Sequence, residues 1–141
     1  TYNQQIIKKS FHSLLKKFCD QHNKSYYQKY SKLCADYFYL KHRNEERGIG
    51  GIFFDYLNNN FEKNFKFTAE TGDFFLESFT DYVNKYKNKN WTARNRLKLL
   101  EKRSRYAEFN LLYDKGTMFG LKTNGNVEAI LMSLPPLASW N

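Results

Sequence analysis

The residue types able to move protons, hold metals or grip anions are few and unevenly placed. There are three histidines, His12, His22 and His42, and two cysteines, Cys19 and Cys34. His12 lies about 120° around a helix from the centre of its apolar stripe, at 100° per residue, which is a flanking position. His22 sits in a Lys- and Asn-rich turn. His42 is better placed for chemistry: it opens the charged, glycine-rich segment His42-Arg43-Asn44-Glu45-Glu46-Arg47-Gly48-Ile49-Gly50-Gly51, just ahead of a β-type run. No His or Cys spacing matches a zinc site. Neither a GxSxG elbow nor a GxxxxGK[ST] loop occurs. Gly48-Ile49-Gly50-Gly51 precedes a strand-like run instead of joining a strand to a helix, so it suits close packing or a bulge better than a dinucleotide. With no CxxC pair, the cysteines read as free, half-buried thiols in a reducing compartment.

Anion-binding groups are plentiful. Arg43 and Arg47 form one cluster, and Lys102, Arg103 and Arg105 another. The 23 Lys and Arg exceed the 14 Asp and Glu by nine, which favours an anionic partner without naming its class. Nucleic acid is one candidate. A small polycarboxylate gripped by arginine forks is another, and the abundance of Lys and Asn is also what a biased genome composition would give. Phe53, Phe54, Tyr106 and Phe109 lie beside the basic clusters, but the RNP1 pattern of an RNA-binding sheet is absent. The residues alone therefore stop at a basic α+β domain with an anion site.

The elements that must carry these groups follow from periodicity. Ile7, Phe11, Leu14, Leu15 and Phe18 predict an amphipathic helix over 4–20. Tyr27, Tyr30, Cys34, Tyr37 and Phe38 predict a second over 25–39, capped by Asn23 or Ser25. Ile52 to Leu57 is a short β-type run, giving a strand near 49–55, and Asn58-Asn59-Asn60 marks a loop. Helices are expected over about 69–87 and 92–103. From Tyr106 the alternation of Ala107, Phe109, Leu111 and Tyr113 with their neighbours has the two-residue period of a strand. Asp114-Lys115-Gly116 reads as a turn, 117–122 as a second strand, Asn124-Gly125 as a hairpin, and 127–133 as a third strand stopped by Pro135-Pro136. Helices followed by an antiparallel meander make the class α+β. The length of 141 residues suits one domain, and 18% aromatic content argues for a folded chain. No apolar run approaches the ~20 residues of a membrane span, and no signal peptide opens the chain.

Four blocks carry a resemblance. Tyr37 through Asp55 is similar to the HRxExRGxGGxFFDD signature of the oxygen-dependent coproporphyrinogen III oxidases. Arg105-Tyr106-Ala107-Glu108-Phe109-Asn110 resembles the RRGRYVEFN block, Asp114 to Gly120 resembles DRGTxFGL, and Glu128 to Pro136 resembles ESILMSLPP. They stand in family order and spacing across nearly the whole chain, which resembles the C-terminal half of such an enzyme. The resemblance implies an antiparallel sheet flanked by helices and a cytoplasmic homodimer, associating through Tyr106 to Asn141. It implies molecular oxygen as co-substrate and no organic cofactor. The substrate would be coproporphyrinogen III, two of whose four propionates lose carbon dioxide to become vinyls while oxygen is reduced to hydrogen peroxide. His12 and His42 match two family histidines associated with a divalent-metal site. Asn124, Gly125 and Asn126 match a substrate-contacting turn. Arg43, Arg47, Arg103 and Arg105 match signature arginines that would hold substrate carboxylates. No nucleic acid and no membrane span are implied.

There are departures. Tyr56 replaces the second Asp of FFDD, Lys115 the arginine of DRGT, Asn126 the arginine of the turn, and Ser139 an arginine before the late Trp. Lys115 keeps the charge but not the planar fork. The proton-donating histidine, its neighbouring Asn and Arg, and the GGGxDLTP aspartate belong to the N-terminal half of the family protein. No catalytic residue is therefore expected among these 141, and the chain alone is expected to be inactive. The alternative is a degenerate, non-catalytic dimerising or porphyrin-binding remnant.

Overall fold

The structure, a computed structural model, describes residues 4–140. It is mostly helical: α1 (Gln4–His22), α2 (Tyr26–Tyr37), α3 (Phe61–Tyr86), α4 (Ala93–Leu112), α5 (Lys115–Lys122) and α6 (Val127–Leu131), with the short strands β1 (Tyr39–Leu40) and β2 (Glu45–Glu46). Helices and a small antiparallel sheet together make the class α+β. Packing divides the described residues into two units, 4–34 with 51–90 and 35–50 with 91–140.

The first unit is built on aromatic packing. Leu15, Phe18 and Cys19 of α1, Tyr30 of α2 and Phe67 of α3 form its buried core, with Phe11, Tyr26, Tyr27, Ile52, Phe54, Leu57 and Phe74 packed around it. Phe67 is the hub: its ring centroid lies 4.9 Å from those of Tyr26 and Phe54 and 5.9 Å from that of Phe18. Burying one such ring is worth about 2–3 kcal/mol. The strand expected near 49–55 is absent. Ile52, Phe54 and Leu57 do face the core, and Phe53 N–H donates to the Tyr30 carbonyl (3.0 Å), but among the described residues the segment joins no strand ladder. Side chains that pack on the core with no strand ladder beside them leave extended chain, not sheet. The third helix begins at Phe61 instead of about 69, because Asn60 is its cap as well as the end of the asparagine loop. Asn60 adopts a left-handed φ of 59° and its side chain accepts from Lys63 N–H (3.0 Å).

The second unit departs most from the sequence reading. The meander expected over 106–113, 117–122 and 127–133 is three helices. The reason is capping. Thr92 and Asn95 make a reciprocal capping box, and good helix formers follow it without a break. The buried residues Ser104, Ala107 and Glu108 then recur at helical spacing, and the two-residue alternation of 106–113 is incidental to that. Asp114-Lys115-Gly116 is no hairpin turn: the Asp114 carboxylate caps α5, accepting from Thr117 N–H (2.7 Å) and Oγ1–H (2.9 Å). Asn124-Gly125 joins two helices, with Asn124 left-handed (φ 57°) and Asn126 capping α6. Proximity favours glycine most at Gly125, where a Cβ would meet backbone, whereas at Gly120 it would meet only side chain. A Cβ on Gly120 would meet Ile130 Cδ1 at 2.9 Å, and one on Gly125 would meet the Gly120 carbonyl oxygen at 3.0 Å.

The hairpin pairs Tyr39 with Glu46 and Leu40 with Glu45. Leu40 is fully buried and anchors it. Arg43 N–H donates to the Leu40 carbonyl (3.1 Å) and Asn44 takes a left-handed φ of 51°. The turn thereby lifts His42 and Arg43 to the hairpin tip. The charged, glycine-rich segment is non-helical, as its composition predicts.

Candidate functional site

At the tip of the hairpin, residues from two distant blocks meet on one carboxylate. Glu108 lies on the buried face of α4, between Ala107 and Phe109 and one turn beyond Ser104. The Arg43 guanidinium grips it in bidentate fashion, Nε to Oε2 and an Nη to Oε1, both at 2.6 Å. His42 Nε2 is 2.8 Å from Glu108 Oε2, and its Nδ1 is 2.7 Å from the Tyr113 hydroxyl. The Glu108 side chain is 9% exposed. Burial alone would raise its pKa, but the Arg43 fork foremost, and then His42, hold it at about 2. In return Glu108 pushes the Arg43 pKa upward. Glu108 is thus ionised at any ordinary pH, and it orients both the imidazole and the guanidinium.

The other signature arginines lie around this pair. Arg105 Nε donates to Glu45 of β2 (2.5 Å), and Lys102 Nζ lies 3.8 Å from the same carboxylate. The Arg47 guanidinium lies over the rings of Phe38, Tyr106 and Phe109 at 4.3, 5.1 and 5.2 Å, a set of cation–π contacts worth about 1 kcal/mol each. Arg103 is half-buried. The structure therefore brings Arg43, Arg47, Arg103, Arg105 and His42 into one unit. Asn124, Gly125 and Asn126 belong to that unit too, on the α5–α6 connection, and the hydrogen bonds of Gly125 and Asn126 are local ones, to the Gly120 carbonyl and from Ala129 N–H. Of the departures, Lys115 opens α5, Tyr56 is exposed with a left-handed φ of 49°, and Ser139 N–H donates to the Leu100 carbonyl (3.2 Å).

His12 belongs to the other unit, where its Nδ1 is 3.1 Å from the Tyr27 hydroxyl. Among the described residues no three His, Cys, Asp or Glu side chains cluster as metal ligands. Both ring nitrogens of His42 already have partners. His12 and His42 each have hydrogen-bond partners within their own unit.

Sequence reasoning missed the roles of Glu108, Glu45 and Tyr113. Glu108 had one legible signal, a lone carboxylate flanked by small and aromatic residues in a helical stripe. Such a charge is rarely buried without a cation.

Known proteins similar to this chain fall in one family. The family model described as coproporphyrinogen III oxidase matches residues 1–141. An oxygen-dependent coproporphyrinogen-III oxidase of Rickettsia rickettsii (strain Sheila Smith) is 54% identical over 132 residues, covering 93% of this chain and 47% of the relative. Its counterparts in Rickettsia akari and Rickettsia bellii are each 50% identical, covering 99% of this chain and 50% of theirs. The chain spans about half the length of the curated relatives it matches. With a whole-chain family match and half its residues shared with these relatives, the chain belongs to the coproporphyrinogen III oxidase family.

Proposed function

We propose that this chain supplies the C-terminal half of an oxygen-dependent coproporphyrinogen III oxidase, taking molecular oxygen as co-substrate and using no organic cofactor. The observation that carries the reading is the meeting of the His42-Arg43 and Arg105 to Asn110 blocks on Glu108. Residues 65 positions apart that converge on one buried carboxylate build a rigid basic wall. A porphyrinogen with four propionates suits such a wall, because forked guanidiniums hold carboxylates in fixed geometry and flanking rings accept its apolar face. Arg103 and Arg47 would meet substrate, with Asn124, Gly125 and Asn126 at a second edge, while Glu108 and Glu45 position Arg43 and Arg105. The rest of the site would come from the other half of the family protein. That half also brings the acid, so this chain alone is inactive.

A homodimer through Tyr106 to Asn141 in the cytoplasm completes the reading. Leu111, Leu112, Phe119, Met132 and Trp140 are exposed along that segment, more apolar surface than a soluble monomer commonly leaves open. No helix among the described residues is long and apolar enough to cross a membrane.

The test is aerobic conversion of coproporphyrinogen III, followed by the fluorescence of the oxidised porphyrin. The chain alone should match a heat-killed control, and the chain with the complementary half of a relative should turn over. Failure of every such mixture, alongside activity of the intact relative, would sink the proposal.

A further inference from the structure

The third helix is apolar on two opposite faces. One face carries Phe67, Phe74 and Ser78 into the core of its unit. At 100° per residue, Phe61, Phe65, Ala69, Gly72, Leu76, Phe79 and Val83 fall about 120–200° away from Phe67. They recur at spacings of four, four, three, four, three and four, the repeat of a helix that packs along its whole length. None of the large side chains in this stripe is covered: exposure runs from 42% at Val83 to 80% at Phe61. The rings are already ordered for contact, Phe61 stacked on Phe65 and Phe75 on Phe79. Charge stays off this stripe: Glu62, Lys66, Asp73 and Glu77 occupy one flank, and Lys63, Glu70, Asp81 and Lys85 lie toward the Phe67 side. A helix apolar on both sides belongs inside a larger body.

The surface area and the relatives' length together point to the occupant. The chain exposes 10391 Å². A folded monomer of 16.9 kDa exposes about 7,700 Å², and two separate domains of half that mass about 9,300 Å² together. The surplus is thus at least about 1,100 Å². A standard interface with a second copy removes about 800 Å² per partner and a large homodimer seam about 1,000 Å² or more, so a second copy is the competing occupant. This chain covers 47–50% of its relatives' length, and they carry a further 50–53% beyond the match, a body of equal size that would cover such a face along its whole length.

We infer that the Phe61-to-Val83 face of the third helix, about 33 Å long at 1.5 Å per residue, is the seam on which the other half of the full-length protein packs. The inference rests on the reading of this chain as half of a longer oxidase and assigns that reading a specific surface.

The experiment mixes the 141-residue chain with the stretch of the Rickettsia rickettsii relative that it does not match, supplied as a separate polypeptide. A Leu76→Asp/Phe79→Asp variant is compared with the unaltered chain by sedimentation. Both positions point away from Phe67, and slow alkylation of the buried Cys19 shows that the core of the variant is intact. Should the aspartates expose Cys19, the Leu76→Ala/Phe79→Ala pair replaces them. The expected result is a one-to-one complex for the unaltered chain and at least tenfold weaker association for the variant. Equal association of both, or no complex with either, overturns the inference. So does self-association of the chain that the variant abolishes, since a second copy would then be the occupant. Porphyrin fluorescence on the same mixtures separates the two readings. A variant-sensitive complex without turnover leaves the seam standing and removes the oxidase assignment, whereas turnover with unchanged variant affinity does the reverse.

Discussion

Replacing Glu108 by Gln removes the charge on which His42 and Arg43 converge while keeping the size of the side chain. The Glu108 carboxyl falls from its ordinary 4.5 to about 2 in the folded protein. At ~1.4 kcal/mol per pH unit that is about 3 kcal/mol of stabilisation by the ionised form. Water reaches the exposed His42 and the partly exposed Arg43, and this screening lowers the figure to about 2 kcal/mol. The sign follows from the depressed pKa: the contribution is complete above about pH 4.5 and disappears as pH falls toward 2. Glu108→Gln should therefore destabilise its unit by about 2 kcal/mol at pH 7, and the gap to the unaltered chain should close between pH 4.5 and 2. Both tryptophans, Trp91 and Trp140, lie in the same unit as Glu108, so their fluorescence in urea reports that unit alone. A gap at pH 7 below about 0.5 kcal/mol, or one that stays constant down to pH 2.5, would refute the reasoning.

Other consequences can be measured in the same way. Gly120→Ala should cost under about 1 kcal/mol in tryptophan-monitored unfolding, since its Cβ meets only the tip of the Ile130 side chain while alanine favours the helix, and Ile130→Val should remove what cost remains. Gly125→Ala meets backbone instead, the Gly120 carbonyl oxygen, so the same Ile130 change should restore less. Phe67→Ala empties the hub of the first unit and should cost about 3–5 kcal/mol, read by how soon Cys19 becomes reactive in denaturant. Burial pushes the Cys19 thiol up to about 11, so at pH 8 iodoacetamide should leave it unmodified in the folded chain and label it on unfolding.

The sequence was most legible where burial and periodicity coincide. The first two helices lie within a few residues of their expected bounds, because Leu15, Phe18 and Tyr30 occupy one stripe each and nothing competes with the helical period. It was least legible after Tyr106. There Ala107, Phe109, Leu111 and Tyr113 satisfy a period of two, while Ser104, Ala107 and Glu108 satisfy one of three to four, and composition cannot choose between them. The caps decide: Thr92 with Asn95, Asp114 with Thr117, and Asn126 with Ala129 each satisfy the unpaired N–H groups of a first turn. Read as turn residues, Asp114 and the Asn124-Gly125 pair pointed to hairpins. The site divides along the same line. His42, Arg43, Arg47 and Arg105 stood out as residue types at an informative spacing. Their partners Glu108, Glu45 and Tyr113 did not, because only the folded chain brings positions 60 to 71 residues apart into contact.

That division bears on how the chain's charge is used. A surplus of nine positive charges invites the view that its arginines wait open for an anion, yet the structure pairs Arg43 with Glu108 and Arg105 with Glu45. A guanidinium pinned by a buried carboxylate keeps its remaining N–H donors in a fixed direction, whereas a free arginine must lose roughly 2 kcal/mol of rotamer entropy when a ligand arrives. Internal pairing thus weakens the net attraction for an anion but stiffens what remains, and for a reaction limited by holding a flexible polycarboxylate in one pose, stiffness is the more useful property. The carboxylates Glu108 and Glu45 are in this sense as much a part of the basic wall as the arginines they hold.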